Sequence, residues 1–306
     1  MKTVALLLVI LNFLTGSSAV VQDNIWDILT DPNAAGVHIL ATQFLKPEPV
    51  RDILYPEPKI LASGAIITDL DTGKILYKKN ADQPMAIASL TKIMTALVVL
   101  EYKNSLKEVY TVPEEATQII GSRMFLYKNE KMTIHNLLRG LLIGSANDAA
   151  YTLAVNTFGT EEKFAEAMNS YTRSHNLRFT NFRNSWGGDE ENHYSTAKDM
   201  AKLTEIALEN QIFRDIVATK KVTLTDITGK LQHQLDNTNE LIGKYTNVIG
   251  VKTGTTQNAG ESLIVAARGG SNQTVIVVLL NSPNRFQEGE ELLDWALKAY
   301  SWVEPL

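Results

Sequence analysis

The pattern of hydrophobic and polar positions divides the chain from residue 61 onward into three blocks. Two short β-rich runs, Ala65 to Asp69 and Lys74 to Tyr77, flank an Asp-Thr-Gly signal that is typical of a hairpin turn. An apolar helix from Ser89 opens a long, mostly helical stretch that reaches about residue 211. The chain then returns to three β-rich runs and a final helix at about residues 287–301; the runs are Val248 to Thr253, Ser262 to Arg268 and Thr274 to Leu280.

This order predicts an α+β fold. Strands at both ends of the region, with helices between them, favour one antiparallel sheet of about five strands assembled from both chain ends, with a helical subdomain inserted. We see no internal repeat and no low-complexity tract.

The first 60 residues follow a different pattern. Lys2 precedes an apolar run from Val4 to Leu14, and the small residues Ser17, Ser18 and Ala19 come next. This is the layout of a secretory signal peptide, so we expect residues 1–19 to be removed after Ala19. The run is too short to span a bilayer comfortably. Residues 20–60 are rich in proline and are predicted to be a lead-in segment with little regular structure.

The amino-acid composition excludes several classes of function. The chain has 306 residues, a formal net charge of −5 and no cysteine. Without a basic excess, nucleic acid is not expected as a partner. The absence of cysteine excludes disulfides, thiolate metal sites and cysteine nucleophiles, and the five histidines are scattered without metal-ligand spacing. We expect no metal and no cofactor.

One lysine is out of place in this pattern. The helix that begins near Ser89 is apolar almost all the way round, yet it contains Lys92. A buried ammonium is costly unless it is paired or has lost its proton. Residues three apart share a helix face, so the Lys92 amine can reach the Ser89 hydroxyl and activate it as a nucleophile. The alternative is an N-capping serine and a lysine that extends to water.

A second Ser-x-x-Lys, Ser195 to Lys198, serves as an internal comparison. Lys198 points away from the apolar face of its helix, and we interpret it as solvated and Ser195 as a helix cap.

Two further motifs add chemistry. Ser145-Ala146-Asn147 interrupts an apolar stretch and could place two polar side chains in a cleft, or could be a polar helix break. Lys252-Thr253-Gly254 lies in a β-rich run, where alternation puts Lys252 and Gly254 on one side of the strand. The glycine would leave room for a substrate backbone beside the edge. The plain alternative is an ordinary edge-strand lysine.

Together and in this order, the three motifs resemble the active-site set of penicillin-recognising serine enzymes. The resemblance covers about residues 60–302 and is specific to the low-molecular-weight penicillin-binding proteins of D-alanyl-D-alanine carboxypeptidase type. Further matching segments are residues 72–80, 88–96, 137–150, 193–200, 237–239, 250–260 and 292–295.

The resemblance implies a role for each matched residue. Ser89 would be the acylated nucleophile, Lys92 its base, and Ser145 the proton relay toward the leaving D-Ala. Asn147, Lys252, Thr253, Gly254, Thr255 and Arg285 would form the substrate-binding set. Within that set Asn147 would orient the substrate amide, and Lys252 would supply positive charge near Lys92 and the substrate carboxylate. The backbone N–H groups of Ser89 and Thr255 would form the oxyanion hole, and Arg285 would bind the terminal carboxylate unless it is an exposed loop arginine.

The resemblance also has departures. Asn184 to Gly188 replaces an Asn-Pro-x-Gly-Leu-like turn, and Thr255 stands where carboxypeptidases often have histidine or tyrosine. Many relatives continue into a second domain and a membrane anchor. After the catalytic domain at residues 61–302 we expect neither, unless the sequence is truncated. A class A β-lactamase would need a deacylating glutamate; Glu205 lies too far past Asn147 for that loop, so we reject this alternative.

We therefore expect an exported enzyme of the bacterial periplasm or cell-wall space, without membrane association after signal cleavage. Its expected activity is that of a serine D-Ala-D-Ala carboxypeptidase acting on peptidoglycan stem peptides and acylated by β-lactam antibiotics. The alternative activity is a D,D-endopeptidase that opens D-Ala cross-links. A wall-binding protein without turnover is the non-enzymatic alternative, and an exposed Lys92 would favour it.

Overall fold

The computed structural model describes residues 46–245, 247–270 and 272–304. The predicted signal peptide and residues 20–45 of the lead-in segment lie outside this range. The strands are β1 (Glu48–Arg51), β2 (Gly64–Asp69), β3 (Ile75–Lys79), β4 (Val109–Thr111), β5 (Lys131–Thr133), β6 (Lys221–Thr225), β7 (Gln232–Asp236), β8 (Val248–Thr256), β9 (Gly260–Arg268), β10 (Thr274–Ser282) and β11 (Tyr300–Val303).

Most of the helices lie in the middle of the chain, between β3 and β6. They are a 3-10 helix (Ala88–Thr91), α1 (Lys92–Tyr102), α2 (Glu114–Gln118), α3 (Ile134–Ile143), α4 (Asn147–Phe158), α5 (Glu161–Ser174), α6 (Ala197–Glu209), α7 (Gln211–Val217) and α8 (Arg285–Ala299). None of the helices in the described ranges is long and apolar enough to cross a bilayer.

The described residues fall into two units, one that includes residues 46–50 and 302–304 and one that spans residues 51–301. Strands β1 and β11 pair in a two-stranded sheet. Strand β1 is regular structure within the segment for which little was expected.

The central sheet of the second unit is antiparallel, with the strand order β3-β2-β10-β9-β8. Because β2 and β3 come from the early part of the chain and β8 to β10 from the late part, the predicted α+β architecture is confirmed. Strand β2 is buried at every position and β10 at every position but one, so both faces of the sheet are covered. Helix α8 packs against β9 and β10, and α6 packs against β2 and β10.

The inserted helical subdomain is built around α1. Residues Lys92 to Val99 of this helix are all buried, and α1 contacts α3, α4, α5 and α6. The strand pair β4–β5 and the hairpin β6–β7 were not predicted, because these strands are short and each has only one buried residue, so they lack a hydrophobic signal.

Strand β8 positions the candidate site, because it is an edge strand of the central sheet and contacts the 3-10 helix that carries Ser89. The amino end of α1, the junction between α3 and α4, and the edge of β8 supply the three motifs.

Candidate active site

Ser89 lies in a tight turn before the buried helix. The preceding residue, Ala88, has φ +48°, a left-handed conformation that costs an alanine about 1–2 kcal/mol. Ser89 does not cap α1, because the N-cap residue is Thr91 and no side chain accepts a capping hydrogen bond there. The serine hydroxyl is therefore available for chemistry.

Lys92 is fully buried, with an exposed fraction of 0%. Its Nζ lies 2.7 Å from each of three oxygens: Ser89 Oγ, Asn147 Oδ1 and the Trp186 carbonyl oxygen. Burial lowers the pKa of Lys92 well below its usual value, and the charge of Lys252 lowers it further, whereas Asp148 opposes the shift. This environment favours the neutral amine.

The neutral amine has a defined orientation in this site. It has two N–H bonds and one lone pair, and the Asn147 and Trp186 oxygens can only accept. They take the two N–H groups, so the lone pair faces the Ser89 hydroxyl at 2.7 Å. That distance lies within the range over which a base removes a proton.

Asn147 is held from its other side as well. Its Nδ2 donates to the Ile120 carbonyl at 2.6 Å, and its backbone N–H donates to the Ser122 carbonyl at 2.8 Å. Ser145, two residues earlier, is 4% exposed and has φ +57°. The left-handed residue redirects the chain between α3 and α4, so that Ser145 and Asn147 lie at a helix junction as the pattern predicted.

Asp148 is a residue of this region that we did not identify from the sequence. It is 1% exposed, and its carboxylate accepts the backbone N–H groups of Met124 (3.1 Å) and Leu126 (3.0 Å). These bonds fix the loop whose carbonyls hold Asn147. A carboxylate in an apolar helix stands out as Lys92 does, so the same argument could have found it.

The Lys-Thr-Gly motif lies on β8 beside the nucleophile. Lys252 is 1% exposed, and its Nζ donates to the Thr253 carbonyl at 2.9 Å. Burial, together with the charge of Arg285, lowers the pKa of Lys252 to about 7. The Thr253 hydroxyl donates to Thr238 Oγ1 at 2.7 Å.

Gly254 lies close to the turn that carries Ser89. A Cβ at this position would stand 3.0 Å from the Ile87 carbonyl oxygen and 3.1 Å from Ser89 N. The missing side chain therefore lets β8 approach the chain's own 3-10 helix.

Arg285 is the first residue of α8 and is not an exposed loop arginine, since only 16% of its side chain is accessible. Its Nη1 donates to Thr255 Oγ1 at 2.5 Å and to the Gly254 carbonyl at 3.0 Å. Arg285 and Thr255 are thus brought together at the end of the β8 edge.

The turn at residues 184–188 completes the site from the opposite side. Asn184 Oδ1 accepts the N–H groups of Gly187 and Gly188, and Glu161 accepts both the N–H and the hydroxyl of Ser185. This network holds the Trp186 carbonyl against Lys92. Because the contact uses a backbone oxygen, no motif in the sequence indicated it.

The second Ser-x-x-Lys motif, Ser195 to Lys198, does not contribute to the site. Lys198 is exposed and pairs with Asp82 at 2.9 Å, which agrees with a solvated lysine. Ser195 is not the cap of its helix; Thr196 accepts from Asp199 N, and the Ser195 hydroxyl bonds Thr180.

Glu205, the residue considered for a β-lactamase, lies on helix α6. Its charged neighbours are Lys202 and Asp69, and Asp69 ends β2. In the part of the chain that the structure describes, none of the side-chain hydrogen bonds of Lys92 involves Glu205.

A serine held against a buried lysine, next to a Ser-x-Asn junction and a Lys-Thr-Gly edge strand on this fold, defines a penicillin-recognising serine enzyme. The family model described as D-alanyl-D-alanine carboxypeptidase, peptidase family S11, matches residues 53–284. The chain belongs to this family.

Similar proteins agree with this membership. The D-alanyl-D-alanine carboxypeptidase DacF of Bacillus subtilis is 36% identical over 78% of this chain and 63% of its own length. The D-alanyl-D-alanine carboxypeptidase of Streptomyces sp. strain K15 is 31% identical over 78% of this chain and 88% of its own length. The crystal structure of the Streptomyces K15 DD-transpeptidase has a TM-score of 0.75 and 32% identity, covering 79% of this chain and 99% of that one. The chain thus spans a little under two thirds of the Bacillus relative.

Proposed function

We propose that this chain is a serine D-Ala-D-Ala carboxypeptidase that removes the terminal D-Ala from peptidoglycan stem pentapeptides. The observation that carries the proposal is the Lys92 amine, fully buried and 2.7 Å from Ser89 Oγ, with two obligate acceptors directing its lone pair to the hydroxyl. A wall-binding protein without turnover has no need of a lysine buried at this position with its amine against a serine hydroxyl.

The first half of the reaction forms an acyl-enzyme. Ser89 Oγ attacks the carbonyl carbon of the penultimate D-Ala while Lys92 Nζ takes the hydroxyl proton. The backbone N–H groups of Ser89 and Thr255 stabilise the oxyanion; one such donor is typically worth about 3–4 kcal/mol of barrier. The C–N bond then breaks. Ser145 gives its hydroxyl proton to the departing D-Ala amine and receives from Lys92 the proton taken from Ser89, which leaves Lys92 neutral.

The second half returns the free enzyme. Water attacks the acyl carbon while Lys92 accepts its proton, the C–O bond to Ser89 breaks, and Lys92 returns that proton to Ser89 Oγ. Asn147 orients the substrate amide. Lys252 and Arg285 supply positive charge for the terminal carboxylate, and Thr253 and Gly254 shape the β8 edge beside which the peptide lies.

The proposed reaction implies which molecules the enzyme binds and where it works. β-Lactam antibiotics acylate Ser89 through the same attack, and peptidoglycan stem peptides are the substrates. An enzyme with these substrates works outside the cytoplasmic membrane, in the periplasm or cell-wall space, and the N-terminal pattern of Lys2 followed by an apolar run agrees with export.

Mass spectrometry of muropeptides incubated with the purified protein tests the proposal, with Ser89→Ala as the control. Loss of one D-Ala from pentapeptide monomers is the expected result. Cleavage of cross-linked dimers with untouched monomers would contradict it and identify a D,D-endopeptidase instead.

A further inference from the structure

His193 lies buried behind the 3-10 helix that carries Ser89, and none of the proposed catalytic steps uses it. The ring is 6% exposed and packs edge-on against Phe182, with 5.7 Å between the ring centroids. Its Nδ1 lies 3.2 Å from Arg183 N, and its Nε2 lies 2.8 Å from Thr91 Oγ1. Both ring nitrogens therefore have partners.

These partners determine the tautomer. The Arg183 N–H can only donate, so Nδ1 accepts. The single proton of the Thr91 hydroxyl is used in a 2.8 Å bond to the Ala88 carbonyl oxygen. The proton between Nε2 and Thr91 Oγ1 must then belong to His193. One directed chain results, which runs from Arg183 N–H through His193 and Thr91 to the Ala88 carbonyl.

The end of this chain is the peptide bond that contains the Ser89 N–H. In a trans peptide the C=O and N–H point in opposite directions, so a bond that holds the Ala88 oxygen also aims the Ser89 N–H. Ala88 is in a left-handed conformation, which persists only where its surroundings enforce it. Successive hydrogen bonds also polarise one another, which strengthens the chain.

We propose that His193 is a positioning residue for the Ser89 N–H, acting through Thr91 and the Ala88 carbonyl. The inference rests on the proposed function, in which that N–H is an oxyanion donor. His193 touches neither substrate nor the reacting atoms. It keeps the strained peptide in the orientation that the donor requires.

The surroundings of His193 keep the ring in its neutral form. Burial lowers the pKa of His193 to about 4, and Arg183 adds to this shift, whereas Glu190 and Asp189 oppose it. On the side of the 3-10 helix the ring contacts the Thr91 hydroxyl, and it also packs against Phe182. A protonated ring would set an Nδ1–H against the Arg183 N–H, donor against donor.

The test compares substitutions of His193 by glutamine and by phenylalanine. A glutamine amide can place an N–H near the position of Nε2, whereas phenylalanine keeps the ring packing and donates nothing. We expect His193→Phe to lower the second-order rate of acylation by a labelled penicillin about tenfold, because a misaimed donor loses part of the 10²–10³-fold that removal of one costs. His193→Gln should stay within about threefold of the wild type. His175→Phe, at a histidine stacked on Tyr171 in another helix, should not change the rate.

A double-mutant cycle with Thr91→Val separates positioning from general destabilisation. If His193 acts through Thr91, the double variant should acylate no more slowly than Thr91→Val alone. Multiplied losses, or a wild-type rate in His193→Phe, would overturn the proposal. A wild-type protein that penicillin does not label would instead refute the proposed function and this role with it.

Nitrogen NMR of the imidazole gives an outcome that needs neither activity nor a stable phenylalanine variant. The wild-type protein should show the proton on Nε2 of His193 across neutral pH, and Thr91→Val should shift that resonance. A proton on Nδ1 would overturn the proposal.

Discussion

Substitution of Gly187 by alanine tests how the turn at residues 184–188 supports Lys92. Gly187 has φ +86°, and a Cβ there would stand 2.0 Å from the Ala88 carbonyl oxygen and 2.9 Å from Ser89 N. Both neighbours are backbone atoms that cannot rotate away. The turn must retreat by about 1 Å to restore a contact of 3.0 Å.

The retreat removes one of the contacts of Lys92. The Trp186 carbonyl lies one residue away and accepts from Lys92 Nζ at 2.7 Å, so a shift of about 1 Å breaks that bond. The neutral amine then has one obligate acceptor, and its lone pair is no longer directed to Ser89. Misplacement on this scale can cost about 10²-fold in rate. The left-handed backbone adds a loss of stability of about 1–2 kcal/mol.

Gly229→Ala is the matched control. Gly229 has φ +71° in the turn between β6 and β7, and no atom lies within 4 Å of the position of its Cβ. It therefore shares the backbone cost without the collision.

The assay is stopped-flow acylation by a fluorescent penicillin, with urea denaturation of the same samples. Both alanine variants should lose similar backbone stability, and Gly187→Ala the greater total, but only Gly187→Ala should acylate about 10²-fold more slowly. Acylation of Gly187→Ala within about threefold of Gly229→Ala would refute the reasoning.

Three further predictions follow from the same geometry. Lys92→Ala should slow acylation by about 10²-fold or more through loss of the base, while Lys198→Ala leaves the rate unchanged; equal effects would remove the distinction between the two lysines. The acylation rate should fall as the pH rises through about 7, because Lys252 then loses its charge. Arg285→Gln should move this fall in rate to higher pH, because the charge of Arg285 lowers the pKa of Lys252. A fall at the same pH in both proteins would contradict that effect of Arg285. The folded-state pKa of His193 is depressed from 6.5 to about 4. The stability that the neutral ring contributes to the folded state is therefore fully present above pH 6.5 and is lost as the pH falls through 4. Denaturation at a series of pH values measures the free energy of unfolding of the wild type and of His193→Gln. The difference between the two should change by about 3 kcal/mol over that range, and a constant difference would contradict this.

Much of the sheet could be predicted from the sequence, because the strands of its interior are buried and read as continuous β-rich runs. Strands β2, β9 and β10 were located to within two residues at each end. The strand pair β4–β5 and the hairpin β6–β7 could not be found in this way, since each of these strands has only one buried side chain.

The residues of the candidate site also differ in whether the sequence could predict them. Lys92 was identifiable because a charge in an apolar helix violates the pattern of its surroundings. The Trp186 carbonyl, which lies 94 positions away in the sequence, was not, because every residue has a carbonyl and only the tertiary fold brings this one to Lys92. The left-handed Ala88 likewise has no signature in its residue type.

The measurement that tests the central claim most directly is mass spectrometry of the protein after brief incubation with benzylpenicillin, followed by peptide mapping. We predict one covalent adduct, located on Ser89, and no adduct in Ser89→Ala. An unlabelled wild type, or an adduct on another residue such as Ser145 or Ser195, would contradict the assignment of Ser89 as the nucleophile.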